Sequence, residues 1–364
     1  MTVAFDPYDL AGTELRNRIA MAPMTRTRAT DSVPNAMMAE YYGQRATAGL
    51  IITEGVAPSD VGRGYPDTPG LWNAEQVEGW RLATDAVHAG GGHIFAQLMH
   101  VGRIGSPFLH EGNANVVAPS PIAAEGKIYT HDGPVDYVVP DELDEAGIAQ
   151  AIGEYASASR NAVEAGFDGV ELHGANGYLI HQFLSTSANH RTDRWGGSIE
   201  GRIRFAVASA EAAAEAIGAN RVGMRVSPGN PLHSIQESEL EDLYLALVEA
   251  LAPIGMAYLH VNEGPELRGL TEAIRGAWPG TLILKPWTTP RRTDATDLPL
   301  LDEVVPALGR PVADMIAIGA NFIGNPDLVH RMKEGLELNE LRPHLFYGVG
   351  AEGYTDYPFT SDAI

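Results

Sequence analysis

Short apolar runs recur along the chain at residues 19–24, 50–54, 93–98, 167–172, 222–227, 258–261, 282–284 and 315–318. Each has the length and aliphatic character of a buried strand, and most are bounded by Gly, Pro or Asn. Between them lie stretches with helical spacing of apolar residues, at 36–48, 80–89, 143–164, 203–217 and 239–251. Pro23 closes the first run because proline cannot continue a ladder, and Gly90, Gly91 and Gly92 stop the 80–89 helix. Residues 5–18 read as a hairpin cap turning at Ala11 and Gly12, and the 102–140 stretch shows no clear periodicity. A stretch that long is an excursion after the third strand, expected to cap one end of the fold. Eight strand–helix alternations predict an α/β protein, a (β/α)8 TIM barrel forming one domain over residues 1–364. An open doubly wound sheet is disfavoured, because no G-x-G-x-x-G follows an early strand.

Composition narrows the class of function. The 364 residues could fill two or three average domains, but a barrel routinely uses this length as one. No apolar run approaches the roughly 18 residues that span a bilayer, and the MTVAFDPYDL start lacks signal-peptide features. The sequence has no cysteine, which excludes disulfides and thiolate chemistry and points to a cytoplasmic protein. A net charge of −22 disfavours nucleic-acid binding; the separate expectations are a small-molecule partner, no membrane, and a monomer or homodimer. Any anionic ligand must then meet a local positive site.

The candidate chemistry sits at strand ends, where parallel α/β proteins bind ligands. The 167–172 strand stops at His173, and Gly174 and Gly177 free the backbone beside His173, Asn176 and Tyr178. A lone histidine there would read as a hydrogen-bonded structural residue, whereas the three together favour function. Thr25, Gln97 and Arg225 also fall at strand ends. Singly, Thr25 could cap a helix, Gln97 could satisfy backbone groups, and Arg225 could pair with an internal carboxylate. His100, His181 and His190 have no ligand-set spacing, so no metal is expected.

HGANGYLIHQFLS followed by N-x-R-T-D-x-W-G-G-S-I-E-x-R resembles the Old Yellow Enzyme family of flavoprotein ene-reductases. MAPMTRTR, GYPDTPGLW, QLMHVGR, FIGNPDLV and GYTDYP extend the resemblance over nearly the whole chain, in family order. It implies that bound FMN is reduced by NAD(P)H and then reduces an activated alkene. It further implies that Pro23, Met24, Thr25, Gln97, Arg225, Gly319 and Ala320 lie along the flavin. His173 and Asn176 would polarise the substrate carbonyl or nitro group, and Tyr178 would donate the proton. Tyr65, Trp72, Met99 and Tyr347 would wall the pocket, with ordinary packing as the alternative for the aromatics. Met99 stands where many members have Trp, which suggests a softer pocket.

The phosphate end departs from the family pattern. In LILKPWTT, Lys285 and Pro286 replace a glycine and a small residue, and Pro286 lacks a backbone donor. In IGANFIGNPDLV, Ala320 takes the place of a phosphate-clamping arginine. Either Lys285 supplies the missing cation, or the barrel has lost flavin and uses His173, Asn176 and Tyr178 in non-redox, isomerase- or cyclase-like chemistry. Retention of the ring residues favours flavin.

Overall fold

The computed structural model describes residues 3–287 and 312–361; the last two residues of LILKPWTT lie outside them. The strands are β1 (Tyr8–Leu10), β2 (Thr13–Leu15), β3 (Ile19–Met21), β4 (Leu50–Val56), β5 (Ile94–Leu98), β6 (Val117–Ala118) and β7 (Lys127–Thr130). They continue with β8 (Gly133–Asp136), β9 (Asp141–Glu142), β10 (Gly169–Gly174), β11 (Val222–Val226), β12 (Tyr258–Asn262), β13 (Thr281–Lys285) and β14 (Met315–Ile318). Eight of these close into a barrel in the order β10-β11-β12-β13-β14-β3-β4-β5, with β10 pairing β5. Every barrel pairing is parallel. All eight expected strands are present, and each is a barrel strand.

The helices are α1 (Ala36–Gly43), α2 (Ala74–Ala89), α3 (Glu145–Glu164), α4 (Leu179–Leu184), α5 (Ile199–Ile217), α6 (Leu240–Leu251), α7 (Arg268–Ala277), α8 (Ala320–Gly324) and α9 (Leu328–Glu334). Their boundaries follow caps more than apolar spacing. α2 begins six residues before the expected start, at an Asn73–Gln76 capping box. α5 begins where the Ser198 side chain accepts the Gly201 N–H. α1 ends early, and the buried Arg45 guanidinium beyond it donates to the carbonyls of Tyr41, Phe322 and Ile323.

Side-chain alternation divides the core in two. Val170, Leu172, Val222 and Met224 face outward into the main core against the helices. Ala20, Leu50, Ile52, Phe95, Tyr258, Ile283, Met315 and Ala317 fill the barrel interior together with Leu10 and Leu15 of the hairpin. The β1–β2 hairpin therefore plugs the amino-terminal end, and the Tyr8 hydroxyl lies 2.8 Å from the Thr281 hydroxyl. This leaves the carboxyl ends for a site. The excursion carries the β7–β8 hairpin, where Ile128 and Val135 pack with Met99 and Tyr178 over that opposite end.

Large rings inside the barrel sit against glycines. A Cβ at Gly223 would come within 2.3 Å of the Tyr258 ring, and one at Gly169 within 2.5 Å of Phe95. Both pairs are register partners on adjacent strands. Gly223→Ala is expected to lower stability by about 1–3 kcal/mol through overpacking. Urea unfolding with an unchanged m-value would check this; an unaltered midpoint would mean the Tyr258 ring moves freely aside.

Candidate active site

The floor of the site is a hydrogen-bonded group on β5, β10, β11 and β12. Glu171 is fully buried; its Oε1 accepts from Gln97 Nε2 at 2.7 Å and its Oε2 from His260 Nδ1 at 2.8 Å. Burial works to raise the Glu171 carboxyl, but His260, Arg225 and Gln97 outweigh it, and it lies below the usual carboxylate range. Gln97 Nε2 also reaches His173 Nδ1 at 3.3 Å. His173 accepts there, so its proton resides on Nε2. Burial, then the Arg225 charge, hold His173 well below the usual histidine pKa, so it is neutral at pH 7.

Beyond His173 the chain turns through left-handed Asn176 (φ 56°) and Gly177 (φ 85°). Gly177 allows close approach, since a Cβ there would meet the Leu232 carbonyl at 2.7 Å and His233 Cβ at 2.8 Å. The Asn176 N–H donates to Ser227 Oγ at 2.8 Å, and its carbonyl accepts from His233 Nδ1 at 2.7 Å. Its side-chain oxygen accepts from Asn230 Nδ2 at 2.9 Å and Asn262 Nδ2 at 3.3 Å. With that oxygen taken, the Asn176 NH2 remains as a donor. His173 Nε2–H and the Asn176 amide thus form a donor pair whose orientations are set from behind.

Tyr178 follows, with His173 and His233 rings each 5.2 Å from its own. Burial pushes its hydroxyl up to about 12, and it lies 2.9 Å from the Tyr65 hydroxyl. It is protonated at neutral pH. A second buried group braces the same loop: the Gly177 N–H donates to His181 Nδ1 at 3.0 Å, and His181 Nε2 lies 3.2 Å from Glu237 Oε1. Tyr244 donates to that Oε1 at 2.7 Å, and the Gly229 N–H donates to Glu237 Oε2 at 2.8 Å.

The walls only partly match expectation. Tyr65 and Met99 pack in one apolar cluster with Tyr178, and Tyr347 is near enough to act electrostatically on both tyrosines. Trp72 is elsewhere: its ring covers Gly70 and it lines a surface cleft with Asn35, Arg63 and Asn73. Tyr137, His233, Asn230 and Asn262 were not singled out from sequence, though the first two adjoin Tyr178 and the asparagines hold Asn176. The signal for His233 is weak, a histidine in the loop after β11 that carries no motif.

The residues expected along a flavin lie on the same mouth. Pro23, Met24 and Thr25 follow β3, next to Gly319 and Ala320 after β14, and the Met24 sulfur is 3.6 Å from where a Gly319 Cβ would stand. Arg225 is buried and its Nε has no hydrogen-bond partner. A guanidinium with an unpartnered Nε, acting on the same Glu171 that holds Gln97, fits the electron-rich edge of a flavin ring. At the phosphate end Ala320 and Pro286 offer neither the guanidinium nor the backbone donor.

Glu237 gives a test of the brace. Burial raises its carboxyl, but His181, Tyr244 and the Gly229 N–H outweigh it and depress the pKa. A depressed carboxylate contributes stability above its unfolded pKa and loses it as pH falls through the folded value. Glu237→Gln is expected to cost about 1–3 kcal/mol at neutral pH. The gap from wild type should narrow as pH drops from about 5 to about 3. Urea midpoints across that range check it, and a pH-independent gap would exclude an ionised Glu237.

A profile of the NADH:flavin oxidoreductase / NADH oxidase family matches residues 4–339. The Leishmania infantum protein named "Probable flavin mononucleotide-dependent alkene reductase" is 39% identical over 370 residues, covering 98% of this chain and 97% of its own. Morphinone reductase, solved in complex with tetrahydroNAD, superposes with TM-score 0.90 at 41% identity, covering 99% of this chain and 98% of its own. The Old Yellow Enzyme homologue from Zymomonas mobilis gives TM-score 0.89 at 39% identity, with 98% and 99% covered. These similarities lend no support to the non-redox alternative that the altered phosphate end had raised. The chain belongs to the NADH:flavin oxidoreductase / NADH oxidase family and is an oxidoreductase of the Old Yellow Enzyme type.

Proposed function

We propose that this chain is an FMN-dependent ene-reductase that uses NAD(P)H to reduce activated C=C bonds of α,β-unsaturated carbonyl or nitro compounds. The observation that carries the reading is the donor pair: His173 and Asn176 each have their other polar atoms engaged, leaving Nε2–H and the amide NH2. Two such donors suit one carbonyl or nitro oxygen and stabilise the negative charge that develops on it during reduction. Bound FMN would supply the hydride-transfer chemistry between the nicotinamide and the alkene. Gln97 and Arg225 would hold the ring's pyrimidine edge, with Thr25 at a ring carbonyl.

Tyr178 is the proposed proton donor to the carbon alpha to the activating group. Its pKa of about 12 keeps the proton in place until a carbanion-like carbon forms beside it. Tyr65, at 2.9 Å, is placed to pass a replacement proton. Tyr65, Met99 and Tyr347 are proposed as substrate walls, and the packing around Tyr178 supports the first two.

Tyr178→Phe is expected to slow alkene reduction by about 10²-fold or more while reduction of the flavin by nicotinamide stays nearly intact. Stopped-flow measurement of the two half-reactions separates these. Equal losses in both would remove Tyr178 from the proton-donor role.

A further inference from the structure

Two cations share the barrel mouth, and neither makes a hydrogen bond or close ion pair among the described residues. Arg225 makes no hydrogen bond or ion pair among the described residues, and its buried Nε is without a partner. Lys285 ends β13 two residues after Ile283, which lies in the barrel interior, so its side chain points inward as well. Among the described residues its ammonium also has no hydrogen bond or ion pair. Lys285 stands in register with Asn262, whose amide reaches the Asn176 side chain at 3.3 Å. It therefore belongs to the layer that holds the substrate loop.

Among the described residues, the carboxylates that act on this pair, Glu171 on Arg225 and Glu263 on Lys285, spend their hydrogen bonds on other groups. Glu171 serves Gln97 and His260. Glu263 is gripped by Arg268 at 2.6 and 2.9 Å and accepts the Trp287 N–H at 3.0 Å. Among these described residues Arg225, Lys285 and Arg268 stand against Glu171 and Glu263, a surplus of one positive charge in a chain of net charge −22. Burial, then the Arg225 charge, lower the Lys285 pKa against the opposing pull of Glu263, and Lys285 in turn acts on His260. Its electrostatic neighbours are Arg225, His260 and Glu263. A positive surplus in a water-poor site is stabilised when an anion or electron-rich group arrives.

We propose that Lys285 is a second ring-side cation, which acts with Arg225 on the pyrimidine edge of the bound flavin and does not replace the missing phosphate clamp. The inference rests on the flavin reading above. Two positive charges at that edge favour the flavin more strongly once it is reduced and carries negative charge.

The test compares apoprotein binding of FMN and riboflavin, together with the potential of bound FMN, in wild type, Lys285→Met and Lys285→Arg. The expected result is that Lys285→Met weakens both flavins by similar factors. Its potential should fall by about 30 mV, the two-electron equivalent of a tenfold selective loss of the reduced form. Lys285→Arg should restore most of the potential. Weakened FMN with unchanged riboflavin and an unmoved potential would overturn the proposal and return Lys285 to the phosphate. An unchanged potential with unchanged affinities would overturn it too. Wild-type protein that takes up neither flavin would instead overturn the flavin reading, and this proposal with it.

Discussion

A carboxylate with no access to water fixes the floor of this site. Glu171 lies inside the barrel, and burying an ionised group is tolerable only when donors surround it. Its two oxygens take Gln97 and His260, and that choice propagates. Because Gln97 Nε2 turns down toward Glu171, the same nitrogen meets His173 Nδ1, and the His173 proton is forced to the far side of the ring. One buried charge thereby sets an amide orientation, a histidine tautomer and the direction of a donor bond. Replacing it with an apolar residue would free Gln97 and His260 together, which is why such a network is either complete or useless.

The loop above is held by a different set of restraints with the same logic. Asn176 and Gly177 adopt consecutive left-handed conformations, tolerated by asparagine and natural to glycine. Ser227, Asn230, Asn262 and His233 engage the Asn176 backbone and side-chain oxygen, and His181 takes the next N–H. Apart from His181 on α4, these partners come from β12 and the loop after β11, so neighbouring strands position the loop. Pre-organisation of this kind lets donors act on developing charge without first rearranging.

The strands were readable because each buries both faces, giving continuous apolar runs that end in turn residues. The catalytic group was readable because His173, Asn176 and Tyr178 share one short segment. What stayed hidden depends on distant partners. The β7–β8 hairpin has alternating half-exposed residues and little apolar signal of its own; it gains order by placing Ile128 and Val135 on Met99 and Tyr178. His233 reaches Tyr178 only because β10 and β11 are adjacent in the barrel. Trp72 misled for a related reason: it shares the GYPDTPGLW segment with Tyr65, yet the chain between them turns so that only Tyr65 faces the mouth. Helix starts at Asn73 and Ser198 rest on capping side chains, which apolar spacing does not register.

The mouth is completed by residues from opposite ends of the chain. Arg26 and Arg28, just after β3, donate to the carbonyls of Leu345, Phe346, Gly350, Glu352 and Gly353. Tyr354 stacks on Tyr41 with ring centroids 4.1 Å apart, and the Arg26 guanidinium lies over both rings. Carbonyls that would otherwise lack donors in an irregular segment are satisfied by these two arginines. Tyr347 is delivered to Tyr65 and Tyr178 by this return of the chain, while remaining largely exposed itself. The floor and the donor pair are therefore properties of the closed barrel, whereas the outer wall depends on a strap held by side-chain-to-backbone bonds. A site built this way has a rigid reactive base beneath a rim whose contacts are fewer, and adjusting the rim leaves the chemistry below it in place.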